Sequence, residues 1–299
     1  MAHKKPEQSP FAITEFTRVV EGIEVRFALS SVLVLPVVSG CLFGVASSEV
    51  AAQFDLSGNW RALVHEDQPE RGPGPDIMEF VGLPINDAAR LAGMSWDPAQ
   101  LAMPEFQCRP HPADYGSRHS HLRIWQEVDA ASQRTVTWRT HREWQEPERT
   151  IYMDQRQRPS AHAPHAWQGF SLGNWDGNML NILTTDLKRG YIRRNGIPRS
   201  DEAELQEHYI RHGEFLTIIS VVQDPDYLTE PFIRSSNYII DPKLVIAPYP
   251  CSPAVEIERE RGYVPHYLPG QNPFNGEYAT RYGIELDASL GGAQTMYPK

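Results

Sequence analysis

Through the middle of the chain, apolar and polar residues alternate in short segments, each ended by glycine, proline, asparagine or aspartate. A period of two is typical of β-strands that bury one of their two faces. The pattern is clearest in residues 167–187, where Asp176-Gly177 separates two arms that contain no proline. Because this dipeptide fits the positive φ values of a two-residue turn, a β-hairpin is predicted there. The turn sets a register that pairs Asn174 with Met179, Leu172 with Asn181 and Phe170 with Leu183.

Similar segments on both sides of this hairpin predict further strands. They cover residues 54–65, 122–128, 135–141, 149–154, 205–211, 215–222, 232–240 and, as one more short strand, 244–247. Residues 86–93 have helical character, with Asn86 or Asp87 as the N-cap, and a second short helix is predicted at residues 97–103. Residues 187–204 are rich in basic residues and turns, and the chain is proline-rich from Pro248 onward.

The order of these elements predicts an all-β fold. About nine strands follow one another without helical crossovers, which is typical of an antiparallel up-and-down sheet, and closure into a barrel removes the exposed edges. A sandwich of two sheets with one hydrated face would give a similar pattern. Gly58-x-Trp60 resembles the start of a lipocalin, where a tryptophan plugs the closed end of the barrel. We therefore predict a calycin (lipocalin-like) β-barrel over residues 54–250, with a small helical insertion and an irregular, proline-rich C-terminal tail at 251–299.

Longer motifs strengthen this interpretation. Trp175-Asp176-Gly177-Asn178 is followed by an apolar strand that ends in Thr184-Thr185. Together with KRGYIRRNGIPRSD, EHYIRHGEFLT, DPDYLTEPFIRS, GLPINDAARLAG and RGYVPHYLPG, this segment resembles a family of secreted bacterial proteins. The resemblance covers most of the chain after its N-terminal apolar run. It implies a lipocalin-type barrel in an exported protein, and it implies no particular activity.

The N-terminal region has the pattern of an export signal. The apolar run at residues 27–46 is preceded by basic residues and followed by small ones, as in a secretory signal peptide. Val38-Ser39-Gly40-Cys41 also resembles the bacterial lipobox, in which the cysteine is lipidated. An uncleaved anchor is a third interpretation, because about 20 apolar residues span a bilayer. Residues 1–48 are therefore predicted to be a signal peptide or a membrane or lipid anchor, and the protein to be periplasmic or secreted.

Composition narrows the partners and the redox compartment. The net charge of −10 and the lack of a polybasic block argue against nucleic acid, because phosphate binding requires a positive surface. Once a leader is removed, Cys108 and Cys251 are the remaining cysteines. In an oxidising compartment they are predicted to form a disulfide, with two unpaired buried thiols as the alternative.

No metal or cofactor is expected. His119 and His121, His162 and His165, and His208 and His212 form pairs that could suggest ligands. A spacing of four suits a helix, but residues 205–222 are predicted to form a hairpin, in which it separates two residues by about 13 Å. The sequence has no C-x-x-C or H-E-x-x-H pattern and no glycine-rich phosphate or dinucleotide motif.

Basic residues cluster in the turn-rich segment and offer a candidate anion site. They are Lys188, Arg189, Arg193, Arg194 and Arg199. At a barrel mouth such arginines could hold a carboxylate, sulfate or phosphate through paired hydrogen bonds. The alternative is a solvated loop whose ion pairs contribute little.

A second set of candidates becomes available if the barrel closes. Tyr152 and Asp154 share one face of their strand, while His208 and Arg234 lie on other strands. Tyrosine, aspartate and histidine are suited to moving protons on a bound molecule. Ordinary cross-strand hydrogen bonds are the alternative role for the same residues.

These patterns lead to a functional hypothesis. We predict an exported enzyme of the lyase, isomerase or hydratase type, which uses acid–base chemistry on an apolar or aromatic compound with an anionic group. His208 or Asp154 would move the proton with help from Tyr152, and the ligand would be held by Arg193, Arg194, Arg234, Lys188 and Trp167. A non-catalytic carrier or sensor, and a structural envelope lipoprotein, are the alternatives. The expected partner is a small molecule, with membrane attachment limited to the N-terminal segment.

Overall fold

The protein is represented by a computed structural model that describes residues 55–64, 75–115, 120–145 and 147–296. The predicted leader, Cys41 and His119 lie outside these residues. Of the two units into which the chain divides, Met1–Glu49 and Val50–Lys299, all described residues belong to the second. Within them, no helix is long and apolar enough to cross a bilayer.

Nine strands of the described part of the chain close into one barrel, which confirms the predicted all-β fold. The strands are β1 (Gly58–Leu63), β2 (Leu122–Val128), β3 (Thr135–Arg142), β4 (Glu148–Tyr152), β5 (Phe170–Asp176), β6 (Met179–Thr185), β9 (Glu204–His212), β10 (Phe215–Gln223) and β11 (Phe232–Ile240). Around the barrel they follow the order β1-β11-β10-β9-β6-β5-β4-β3-β2. The first strand pairs with both the second and the last, so the ring has no free edge.

One pair in the ring departs from the predicted antiparallel pattern. β4 and β5 run parallel, with Ile151 opposite Ser171 and Tyr152 opposite Leu172. An odd number of strands cannot alternate in direction all the way around a closed ring, so at least one pair must be parallel. The connection between these two strands, residues 153–169, accordingly returns from one end of the barrel to the other.

The predicted hairpin at residues 167–187 is present, but its register is shifted by two residues. Asp176 pairs with Met179, which makes Gly177 the first turn residue, with a φ of 57°. His212 pairs with Phe215 in the same way, and Gly213 has a φ of 61°. A shift of two leaves every side chain on the face expected for it, because strand faces alternate with a period of two.

Outside the barrel, several boundaries differ from the sequence prediction. The turn-rich segment contains a two-stranded sheet of β7 (Gly190–Arg193) and β8 (Ile197–Arg199). The first helix, α1 (Asp87–Met94), has Asn86 as its N-cap, and the second is a short 3-10 helix at Pro98–Ala102. Residues 244–247 are not a strand. The tail is irregular apart from the short helices α2 (Glu277–Tyr282), α3 (Leu286–Ser289) and α4 (Ala293–Met296).

Trp60 closes one end of the barrel. Its side chain is fully buried, and its indole N–H donates to the carbonyl oxygen of Leu56 at 3.0 Å. The guanidinium of Arg211 lies 5.3 Å from the ring centre. Buried apolar side chains from all around the barrel, among them Leu122 and Ile218, pack above the indole. The tryptophan therefore occupies the plugging position that Gly58-x-Trp60 suggested.

The other end of the barrel is covered by a layer that we call the cap, formed by residues 75–115 with β7 and β8. A second hydrophobic cluster joins it to the barrel, with Phe80 and Ile197 from the cap packed together with Leu205 and Val222 from the strand ends. Helix α1 lies directly against β8 because Gly93 has no side chain: a Cβ there would be 2.8 Å from Ile197. The cap thus places its own polar side chains next to those that point into the barrel at this end.

Candidate functional site

The three residues predicted to transfer protons do not meet in one place. His208 faces away from the barrel interior, with its Nδ1 2.5 Å from the Oδ1 of Asn181. Asp154 is exposed and forms an ion pair with Arg156 at 2.6 Å. The guanidinium of Arg156 also lies 3.8 Å from the ring of Tyr152. These three side chains form two separate sets of contacts, His208 with Asn181 and Asp154 and Tyr152 with Arg156.

The reason lies in which face of β9 points inward. Leu205, Glu207 and Tyr209 alternate along the strand and are buried, whereas His208 between them is partly exposed. A sequence with polar residues on both faces does not reveal which face the barrel encloses. The structure shows that the face with Glu207 is the enclosed one.

The arginines predicted to hold an anion do lie together, around Asp114 and Tyr115. Arg194 donates from its Nε to the Tyr115 hydroxyl at 2.9 Å. Arg234, which starts on the inward face of β11, donates to the backbone carbonyl oxygen of Asp114 at 2.6 Å. Arg193 donates to the carbonyl oxygen of Glu79 at 2.9 Å. Three elements distant in the sequence therefore converge at the junction of cap and barrel.

Arg199 has a structural part in this arrangement. Its Nε lies 3.1 Å from the Asp114 carboxylate, and neither side chain has any exposed surface. Two further N–H groups donate to the carbonyl oxygens of Lys188 and Ser200, each at 2.6 Å. The solvated-loop alternative is therefore wrong for this arginine, which fixes β8 against the segment that carries Asp114.

Aromatic residues that the sequence analysis did not select line the same junction. The ring centres of Tyr115 and Tyr191 are 4.7 Å apart, and those of Tyr115 and His111 are 5.0 Å apart. His111 Nδ1 lies 2.6 Å from the Tyr191 hydroxyl. Burial raises the pKa of both tyrosines, so their hydroxyls remain protonated at neutral pH and can donate hydrogen bonds. The loop with His111 and Tyr115 shows no alternation of apolar and polar residues. Its nearness to Cys108 is the one sequence feature that could have indicated these residues as part of a site.

Lys188 and Trp167 lie beside this group, on its outer side. Lys188 Nζ is 5.5 Å from the Trp167 ring, and the guanidinium of Arg109 is 5.8 Å from it. The carbonyl oxygen of Trp167 accepts from the backbone N–H of Ala113 at 3.2 Å. Lys188 is exposed, so this pair forms a rim next to the arginines and tyrosines.

Charge is unbalanced among the described residues of the junction. Arg194, Arg199 and Arg234 lie around one carboxylate, that of Asp114, while Arg193 is paired with Glu79. Burial lowers the pKa of Arg234 to about 10, which still leaves it charged at neutral pH. Among the described residues, Arg234 Nη1 has no acceptor and Asp114 Oδ2 has no donor. The next residues in the chain, 116–119, lie outside the described part. In the described part of the junction, a guanidinium N–H without an acceptor thus lies near tyrosine hydroxyls that stay protonated.

A groove elsewhere has the opposite character. It has a volume of about 400 Å³ and lies beside the cap-side ends of β9 and β10. Its lining includes the carboxylates of Glu202, Glu204, Asp224 and Glu230. An anionic molecule would be repelled there, so the groove does not compete with the junction for such a ligand. In the described part of the chain, no group of three or more histidine, cysteine, aspartate and glutamate residues could hold a metal ion.

Comparison with known proteins yields little. No family model matches the chain, and no curated protein matches it. A crystal structure of a mutant of the fluorescent protein UnaG is similar at a TM-score of 0.27 and 10% sequence identity, over 62% of this chain and 95% of that one. The fold is therefore assigned from the strand pairing described above.

Proposed function

We propose that the chain binds a small organic anion at the junction of cap and barrel. Arg234 and Arg194 would hold the anionic group, and the Tyr115 hydroxyl would add a hydrogen bond. The observation that carries this proposal is the half-buried Arg234, whose Nη1 has no acceptor among the described residues. A buried donor left unpaired costs about 1–3 kcal/mol, more when it is charged, and a bound anion would remove that cost.

The surroundings indicate the kind of anion. Arginine binds carboxylate, sulfate and phosphate groups well because its planar N–H groups match two acceptor oxygens. The rings of His111, Tyr115 and Tyr191 stand close to one another beside the arginines. Such walls favour a ligand with a ring or another apolar part next to its charged group. An aromatic carboxylate or sulfonate combines both features.

Binding without conversion fits these contacts better than acid–base catalysis. A general base would need a carboxylate or imidazole free to accept a proton from the ligand. Asp114 is paired with Arg199 through Oδ1, and its Oδ2, which has no donor among the described residues, has no exposed surface; His111 Nδ1 lies against the Tyr191 hydroxyl. The carrier or sensor alternative is therefore preferred to the lyase, isomerase or hydratase hypothesis. Recovery of a chemically altered ligand after incubation with the protein would reverse that preference.

Replacing Arg234 or Arg194 with glutamine should weaken binding of an aromatic anion at least tenfold. Each change removes a charge-assisted hydrogen bond worth about 1.5–3 kcal/mol. Fluorescence titration with anilinonaphthalene sulfonate, and its displacement by benzoate, measures the affinity. The fall should be larger at low salt, because part of the attraction is screened.

Arg189→Gln is the matched control for these variants. Arg189 belongs to the same basic segment, but it is exposed and lies 3.5 Å from Asp201. Its loss should leave the affinity within twofold of the starting value. If all three variants bind the probe equally well, the junction is not the ligand site.

We also propose that the protein is exported. The apolar segment at residues 27–46 and the disulfide between Cys108 and Cys251 support this location. Mass spectrometry of the native protein should find an N-terminus between residues 41 and 53, with an added lipid mass if Cys41 is acylated. An intact Met1 on a cytoplasmic protein would contradict the proposal.

A further inference from the structure

A second buried guanidinium lies inside the barrel, away from the junction. Arg142 ends β3 with its side chain on the inward face and is 4% exposed. Its Nη1 donates to the Tyr238 hydroxyl at 3.1 Å. Within the described part of the chain, it forms no ion pair with a carboxylate. Glu207 attracts this guanidinium from beyond ion-pair distance. A buried cation without a direct counter-ion is costly, since removing a charge from water costs several kcal/mol unless it is paired.

The carboxylate of Glu207, which points into the described barrel, is already paired with another arginine. Glu207 has no exposed surface and lies 2.5 Å from Nη1 of Arg149. Arg149 Nε donates to Ser171 at 2.9 Å, and its Nη2 donates to Thr184. Burial raises the pKa of both Tyr209 and Tyr238, so neither hydroxyl supplies a negative charge near neutral pH. The described interior therefore carries one positive charge more than it balances.

Other donors in the barrel also have no acceptor. Among the described residues, the hydroxyl of Tyr209 and the indole N–H groups of Trp138 and Trp175 form no hydrogen bond. The Tyr209 and Trp138 side chains are each 1% exposed. Buried donors in native proteins are paired in about nine cases out of ten. Apart from their ion pair with Arg149, the carboxylate oxygens of Glu207 also form no hydrogen bond with a described residue, so the acceptor that is present does not reach these donors, and they remain available to a bound acceptor.

We propose that Arg142, with the hydroxyl of Tyr209, binds a monoanionic group of carboxylate size inside the barrel. This position is distinct from the one at the junction: Tyr238 lies four residues along β11 from Arg234, which is about 13 Å in a strand. The proposal does not depend on the junction site. A free small anion and the carboxylate of a longer ligand share the chemistry that this position recognises.

Bromide is a direct probe of the site. In a crystal soaked in bromide, an anomalous peak is expected within hydrogen-bonding distance of the Arg142 guanidinium, and it should be absent from the Arg142→Gln protein. A water molecule at that place in the presence of bromide would overturn the proposal.

Thermal unfolding in a series of sodium formate concentrations tests the same position in solution. The melting temperature should rise with formate in the unaltered protein and stay flat in Arg142→Gln, because a ligand stabilises the folded state that binds it. Arg139→Gln is the matched control. Arg139 lies on the same strand but faces outward toward Glu127 and Glu148, so this variant should respond like the unaltered protein. An equal response from both variants would overturn the proposal.

Tyr209→Phe provides a second test if Arg142→Gln does not fold. It removes one proposed donor and keeps the ring, so formate should bind about threefold to tenfold more weakly. Unchanged formate affinity in this variant, together with no bromide peak, would refute the site. Butyrate and hexanoate identify the source of the anion: tighter binding than formate indicates the end of a longer ligand, and weaker binding indicates a free anion.

Discussion

Replacing Glu207 with glutamine should lower the free energy of unfolding by about 3–5 kcal/mol, one of the two largest effects expected in this protein. The carboxylate has no exposed surface, and its partner Arg149 is 3% exposed. Removing the carboxylate leaves the Arg149 guanidinium uncompensated in an interior that already contains Arg142. The penalty therefore comes from the charge left behind as much as from the lost contact.

Urea unfolding curves measure this loss, and Glu204→Gln is the control. Glu204 lies on the same strand, but its ion pair with Arg158 is 3.9 Å long and about half exposed. Such a pair contributes about 0–1 kcal/mol, so this variant should unfold near the starting midpoint. Glu207→Leu combined with Arg149→Met removes both charges and should recover much of the stability. If Glu207→Gln and Glu204→Gln unfold at the same urea concentration, loss of the Glu207 carboxylate does not lower the free energy of unfolding by the expected amount.

Removing the disulfide should have the second large effect, about 2–5 kcal/mol. Cys108 and Cys251 are 143 residues apart in the sequence and are bonded in the structure, with their Cα atoms 5.5 Å apart, as the sequence predicted. The bond closes a loop that includes most of the barrel. Gln107 adds hydrogen bonds to the backbone N–H and carbonyl of Ala254, at 2.8 and 3.1 Å. The proline-rich tail is thereby attached to the segment that leads into His111 and Tyr115.

The measurement compares urea unfolding of the oxidised protein with that of Cys108→Ser/Cys251→Ser, each with and without dithiothreitol. Reductant should destabilise the unaltered protein to the level of the double variant and leave the double variant unchanged. A thiol assay establishes that reduction has occurred. Complete reduction without a shift in the midpoint would show that the bond does not stabilise the fold.

Local patterns in the sequence were sufficient to predict many of the strands and turns of the barrel. β2 and β11 begin and end at the predicted residues, and Gly177 and Gly213, in two of the predicted hairpin turns, have positive φ values. The register error has a physical cause, because Asp176-Gly177 was assumed to fill both turn positions, whereas Gly177 fills the first. The parallel pair of β4 and β5 follows from closing an odd number of strands, which no single segment encodes.

The candidate site was predicted less well. Alternation tells which residues share a face of β9, but polar residues occupy both faces, so the sequence did not show that Glu207 is enclosed and His208 is not. Arg193, Arg194 and Arg234 were selected because arginines suit an anion, and the structure brings them to one junction. Tyr115 and His111 lie in a loop without periodicity, and only long-range packing brings them near Arg194.

The double pairing of β1 also has a consequence for how the chain folds. Gly58 pairs with Ile124 on one side, and Trp60 pairs with Ile240 on the other. The first strand to be synthesised therefore keeps one hydrogen-bonding edge open until the last strand is available. Contacts between such distant parts of a chain form slowly, because the loop between them must first be ordered. We expect ring closure to limit the folding rate, and a chain truncated before residue 232 to expose that edge and aggregate.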